Sequence, residues 1–236
     1  MFLKDAFFKI KQIIGARVWS ARFLSVFPRY RIKGVNSQTD LCLAGFPRSG
    51  NSFVFRALLM FNPDISVAHH IHLPYLVEAA SQRQIPTLFF IRPPQQVLAS
   101  LLVSDRRLSV DAAIWNYCYY HRKVWPFRDH MLVSDFADHT KRLPEVVHAM
   151  NAKFNASFAC EKMDQQRQDK VFEVLKQKTA ERKRLPNLYA GPSAEKEKLK
   201  AEISEKIITH PRFSECMALY QQYLSVSVFS EEELQR

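Results

Sequence analysis

Glycine is scarce in this chain, 5 among 236 residues, and cysteine scarcer still at 4. So little glycine excludes collagen-like and Gly-rich low-complexity chains and fits a helix-rich globular protein. Cys42, Cys118, Cys160 and Cys216 lie far apart with no Cys-x-x-Cys pair. That spacing points to neither a zinc site nor a disulfide framework, and a reducing compartment fits. Long apolar runs are missing as well. Residues 2 to about 26 place Leu3, Phe7, Ile10 and Ile14 on one helical face, but Lys4, Lys9, Lys11, Arg17 and Arg22 interrupt the sequence. This excludes a membrane span, which needs about 20 mostly apolar residues, and a secretory signal, which needs an unbroken apolar centre. Acidic residues are the minority, 23 against 34 Lys and Arg, for a net charge of +11. The expected partners are therefore anionic: a phosphorylated nucleotide, an acidic polymer, a lipid surface or nucleic acid.

What is present begins with Leu41-Cys42-Leu43-Ala44-Gly45-Phe46-Pro47-Arg48-Ser49-Gly50-Asn51-Ser52-Phe53. An apolar strand breaks into a Gly-bounded loop, and a helix starts near Asn51. Gly45 and Gly50 permit close backbone approach, so successive N–H groups can turn toward an anion at the helix N-terminus. The spacing is that of a P-loop, but the Lys that follows the second Gly in nucleotide triphosphatases is replaced by Asn51, and the cation stands earlier, at Arg48. A second apolar strand, Thr87-Leu88-Phe89-Phe90-Ile91, ends at Arg92 and leads through Pro93-Pro94 to Ser100.

Pro47-Arg48-Ser49-Gly50-Asn51-Ser52 resembles the 5′-phosphosulfate loop of sulfotransferases, which take a sulfuryl group from 3′-phosphoadenosine 5′-phosphosulfate (PAPS). Arg92 and Ser100 keep the spacing of the Arg and Ser that bind the donor's 3′-phosphate in that family. Pro93 stands where family members usually carry Asp. The resemblance covers roughly residues 39 to 150 and implies a three-layer α/β fold of P-loop type, an open parallel sheet flanked by helices. It assigns Arg48, Ser49, Gly50, Asn51 and Ser52 to the 5′ end of PAPS, Phe53 to the adenine, and Arg92 and Ser100 to the 3′-phosphate. A metal is not required where fixed donors neutralise the leaving phosphate.

Three histidines crowd His69-His70-Ile71-His72-Leu73-Pro74. His70-x-His72 offers two imidazoles to a metal, but no third ligand follows by spacing. The resemblance gives a different reading: His-Leu-Pro carries the general base in cytosolic sulfotransferases, so His72 takes that position and His70 stands where the family has Lys. The catalytic set is then His72, His70 and Arg48. The short core with His-x-His-Leu-Pro is similar to bacterial-type carbohydrate sulfotransferases, which implies an acceptor hydroxyl on a glycan or glycolipid.

The chain divides into an N-terminal helix with a basic connector over residues 1–37 and a single domain over 38–236. The N-terminal helix is expected to dock on the domain by its apolar face, as amphipathic helices usually do. The alternative is a helix lying on an anionic membrane, with Trp19, Phe23 and Phe27 nearby, which would place a cytoplasmic protein at the inner face of a membrane. Ile65 to Ala68 and Met131 to Phe136 read as further strands. Leu76 to Gln82, Asp111 to Phe127 and Phe213 to Leu224 read as helices. Residues 161 to 210 are mostly a solvated face, and the resemblance implies that one of Arg182, Lys183 or Arg184 closes on the 3′-phosphate. Two rival readings remain. An ATP-using P-loop kinase would need a Lys before Ser52 and a carboxylate at a second strand end. A non-catalytic basic module for nucleic acid or membrane would rest on charge alone, and nucleic acid is not the expected partner.

Overall fold

The computed structural model describes residues 2–21, 33–181 and 194–230. Arg22, Phe23, Phe27, Arg182, Lys183, Arg184, Pro192 and Ser193 lie outside them. Four strands, β1 (Leu41–Gly45), β2 (Val67–His69), β3 (Thr87–Ile91) and β4 (Leu132–Asp135), form one parallel sheet in the order β2-β1-β3-β4. Their pairing register puts Leu43 beside His69 and Leu88, and Phe89 beside Val133. Parallel neighbours need crossover connections, and helices supply them on both faces, which is why β1 and β3 are buried at every position and apolar at all but Thr87, whose hydroxyl donates to the Ile85 carbonyl (2.9 Å).

Alternation along those strands builds two cores. Leu41, Leu43, Leu88, Phe90 and Leu132 pack on one face with helices α3 (Asn51–Phe61) and α8 (Leu143–Phe154) and the start of α9 (Gln165–Glu181). Cys42, Ala44, Phe89, Ile91 and Val133 pack on the other with α4 (Tyr75–Gln82), α5 (Pro94–Ser104), α6 (Val110–Val124) and α11 (Phe213–Leu224). The remaining described helices are α1 (Phe2–Ile14), α2 (Val18–Ala21), a 3-10 helix (Trp125–His130) that follows α6, a six-residue α7 (Phe136–Lys141) and α10 (Ala194–Ile208), which lies along α5. The result is a three-layer α/β architecture.

Adjacent strands β1 and β3 feed helices on opposite faces, α3 on the first and α5 on the second. The loops after them diverge, which opens a crevice at their carboxyl ends, the place where open α/β sheets bind ligands.

The N-terminal helix departs from expectation in two ways. Instead of running on toward residue 26 it stops at Ile14, where the chain turns and the Gly15 carbonyl accepts from Tyr75 N (3.0 Å). It does dock on the domain, but chiefly by its polar side, with Phe8 packed against the core as well. Asp5 accepts from Ser109 N (3.0 Å), Lys4 pairs with Asp105 (2.7 Å), and buried Gln12 donates to the His72 carbonyl (2.9 Å). Specific polar partners on α6 and on the His72 loop outcompeted the apolar stripe for the contact.

Candidate functional site

The Gly45–Gly50 loop hangs from two anchors. Phe46 is fully buried against Tyr117 and Tyr120 of α6, with ring centroids at 5.2 and 5.9 Å. Asn51 is buried at the start of α3 and donates back to the Phe46 carbonyl (3.2 Å). It therefore braces the loop from inside. Gly50 has φ +91° and no room for a side chain, because a Cβ there would sit 2.6 Å from His139 Nε2. Arg48 adopts φ +73°, a conformation that a side-chain-bearing residue holds only where its surroundings impose it. Phe53 N and Val54 N donate to the Gly50 carbonyl (2.9 and 3.2 Å), and the N–H groups that precede them in the first turn of α3 lie at the positive end of the helix dipole.

Three of the residues singled out by spacing meet here. The Arg48 guanidinium donates through Nε to Ser100 Oγ (3.1 Å) on α5. Arg92, at the end of β3, donates through Nη1 to the Arg48 carbonyl (3.0 Å) and through Nε to Gln96 (3.3 Å). Its guanidinium carbon lies over the Phe136 ring, 3.9 Å from the centroid. Burial lowers the pKa of Arg48, and burial together with the neighbouring Arg48 charge brings Arg92 down to about 10. Two neighbouring cations whose charged forms are disfavoured, both by burial and Arg92 also by the Arg48 charge, are each stabilised by an anion placed between them.

The three histidines separate by their contacts. His69 stacks on Phe55 at 3.7 Å and donates from Nδ1 to the Val67 carbonyl (2.8 Å); burial first, then nearby Lys33 and Arg56, bring it down to about 4. It is a structural residue. His70, with φ +57°, places Nε2 2.8 Å from Ser52 Oγ, so it faces the first turn of α3. His72 Nδ1 lies 2.9 Å from the Gly45 carbonyl at the loop's entrance. A carbonyl only accepts, so Nδ1 carries the hydrogen and Nε2 is the basic nitrogen of the neutral ring.

Phe53 is placed differently from the adenine role that the resemblance implied. The residue is 7% exposed, and its ring packs on Phe172 of α9 at 5.6 Å. Ser49 is buried and contributes its backbone, its carbonyl accepting from His139 Nε2 (3.0 Å). Arg184 lies outside the described residues. No group of three or more His, Cys, Asp or Glu side chains among the described residues is arranged to hold a metal.

His139 and Phe136 escaped the sequence reading. Both come from α7, a helix whose start is set by Asp135 capping Ala137 N (3.1 Å). His139 is buried between Ser49 and Ser134 and supports the loop from below. The reading of Met131 to Phe136 as a strand carried no hint of a contact spanning 90 residues.

Burial brings His139 to about 3 and His121, packed under Phe46, to about 4, both from 6.5. Both are therefore neutral in the fold and basic in the unfolded chain. As pH falls below 6.5 the unfolded state takes up protons first, so stability is lost on acidification and is unaffected above 6.5. Each residue is expected to contribute about 2 kcal/mol of destabilisation between pH 7.5 and 5. Thermal melting across that range checks this; a Tm independent of pH would contradict the neutral assignment.

No family model and no curated protein matches the chain. Among solved structures it is similar to the mouse sulfotransferase SULT7A1 complexed with PAP, at 12% identity and a TM-score of 0.44, over 86% of this chain and 88% of that one.

Proposed function

We propose that this protein transfers a sulfuryl group from PAPS to an acceptor hydroxyl, in the cytoplasm, with a glycan or glycolipid as the acceptor class. The observation that carries the reading is the meeting of Arg48, Arg92 and Ser100 at a P-loop-like helix start that has Asn51 in place of the triphosphatase Lys. Two half-buried cations, linked by the hydrogen bond from Arg92 to the Arg48 carbonyl, suit a nucleotide phosphorylated at two positions. When bound, PAPS supplies the activated sulfuryl group. The chain's residues do the rest. The α3 N–H groups, the Arg48 guanidinium and Ser52 hold the 5′ phosphosulfate and stabilise the charge that develops on the leaving phosphate. Arg92 and Ser100 hold the 3′-phosphate. His72 Nε2 takes the acceptor's proton as the new S–O bond forms, and the hydrogen bond from Nδ1 to Gly45 keeps that nitrogen basic and aimed. His70, beside Ser52, occupies the place of a donor to the leaving oxygen.

The kinase reading is less well supported. Asp135 is a strand-end carboxylate, but it is engaged by Ala137 N and by the Tyr220 hydroxyl (2.8 Å). Calorimetry with adenosine 3′,5′-bisphosphate, ATP and duplex DNA in parallel tests the proposal. Magnesium-independent binding of the bisphosphate is expected, and preference for ATP or DNA would sink it.

Arg92→Ala is expected to lose most of the discrimination between PAPS and adenosine 5′-phosphosulfate, which lacks the 3′-phosphate. Arg48→Ala should weaken both about equally. A charge-assisted phosphate contact is worth about 1.5–3 kcal/mol, so losses of roughly tenfold to a hundredfold are expected. Discrimination that survives Arg92→Ala would remove the 3′-phosphate assignment.

A further inference from the structure

The docking of α1 leaves an apolar ridge facing solvent. Leu3 is 84% exposed, Phe7 66%, Ile10 54% and Ile14 36%, and at 100° per residue these four fall within an arc of roughly 60°. Ile13 and, just past the helix, Trp19 extend the ridge at 53% and 72% exposure. The orientation is imposed rather than incidental. On the opposite side of α1, Lys4, Asp5, Lys9 and Gln12 are held by Asp105, Ser109 N, Asp111 and the His72 carbonyl. Turning the helix to bury the ridge would break all four contacts. Contiguous apolar surface on this scale marks an interaction site.

We infer that this ridge lies in the headgroup region of an anionic membrane. Two observations select that occupant. The ridge is convex, a single line of side chains on one exposed helix, and a fluid lipid surface accepts such a shape without needing a matching groove. Charge is complementary as well. The net charge of +11 is carried on a chain whose only acidic residue between positions 2 and 21, Asp5, is turned inward against Ser109. Lys11 borders the ridge along one side, and Arg17 follows it, its side chain 48% exposed while it pairs with Glu78 (3.7 Å). Basic residues beside a shallow apolar ridge are attracted by acidic lipids, and the apolar side chains then insert between headgroups. No helix among the described residues is long and apolar enough to cross a membrane, so the contact is peripheral. The inference is independent of the reaction proposed at the Arg48 loop. Gln12 joins the two regions, since it reaches from the back of α1 to the backbone of His72.

The test is co-sedimentation of the full chain with phosphatidylcholine vesicles, with and without roughly one-third phosphatidylserine. Binding is expected to the anionic vesicles only, to weaken as salt is raised, and to fall at least about tenfold in the Phe7→Glu/Ile10→Glu variant. That variant should keep the wild-type melting temperature and affinity for adenosine 3′,5′-bisphosphate, because neither side chain touches the domain's core or the loop. Absence of vesicle binding, equal binding to neutral vesicles, or undiminished binding of the variant would each overturn the inference. So would sedimentation velocity showing a wild-type dimer that the variant converts to monomer without any vesicle association, since the ridge would then be an interface between copies.

Discussion

Replacing His72 with alanine is expected to lower turnover by roughly 10²–10⁴-fold while leaving affinity for adenosine 3′,5′-bisphosphate nearly unchanged. A general base acts on the acceptor's proton in the transition state and contributes little to holding the nucleotide beforehand, so the loss should fall on kcat. The geometry sharpens the comparison among three adjacent histidines. His69→Ala removes a ring stacked on Phe55, so its cost should appear as lost stability with the chemistry of surviving protein intact. His70→Ala removes the partner of Ser52, so it should weaken the donor as well as slow transfer. His72→Asn keeps a donor to the Gly45 carbonyl but has no basic nitrogen, and it should be as inactive as the alanine variant. Single-turnover rates and bisphosphate affinity measured side by side decide among them. Retained turnover in His72→Ala, with turnover lost in His70→Ala at unchanged affinity, would move the base to His70.

Gly50→Ala should be the most damaging change in the loop. The substitution requires an L-residue at φ +91° and drives a methyl group to within 2.6 Å of the buried His139 ring. Backbone strain of about 1–2 kcal/mol adds to overpacking of about 1–3 kcal/mol, because His139 is held from both sides and cannot step aside. The loop should shift, and with it the Gly50 carbonyl that accepts from Phe53 N and Val54 N to open α3. Affinity for adenosine 3′,5′-bisphosphate is expected to fall by about a hundredfold or more, with a Tm lowered by several degrees. Calorimetry and a thermal melt on the same preparation check both. Near-normal affinity in Gly50→Ala would mean that the first turn of α3 does not hold the phosphate.

Much of the sheet was legible beforehand because strands covered on both faces must be apolar throughout. Leu41–Gly45 and Thr87–Ile91 therefore stood out as runs rather than alternations, and the helix over Phe213–Leu224 matches its expected bounds. The loop was legible for a related reason. Gly45, Arg48 and Gly50 are adjacent in sequence because the cradle is local, and Arg92 and Ser100 are separated by one strand-to-helix turn. The packing of Phe53 on Phe172 was not legible, because spacing within the loop says nothing of a ring on a helix more than a hundred residues away.

The sequence by itself determined the alternation of strand and helix, the position of the Gly45–Gly50 loop and the identity of the cations near it, since each depends on neighbours within a few turns of chain. Tertiary structure decided the rest. It chose which histidine hydrogen-bonds to which backbone atom, put His139 and Phe136 beneath the loop and Arg92, and turned α1 so that its apolar side faces outward. Periodicity records how apolar a face is. Which face is buried depends on the partners the fold brings to it, and here Ser109 N, Asp105 and the His72 carbonyl were brought to the polar one.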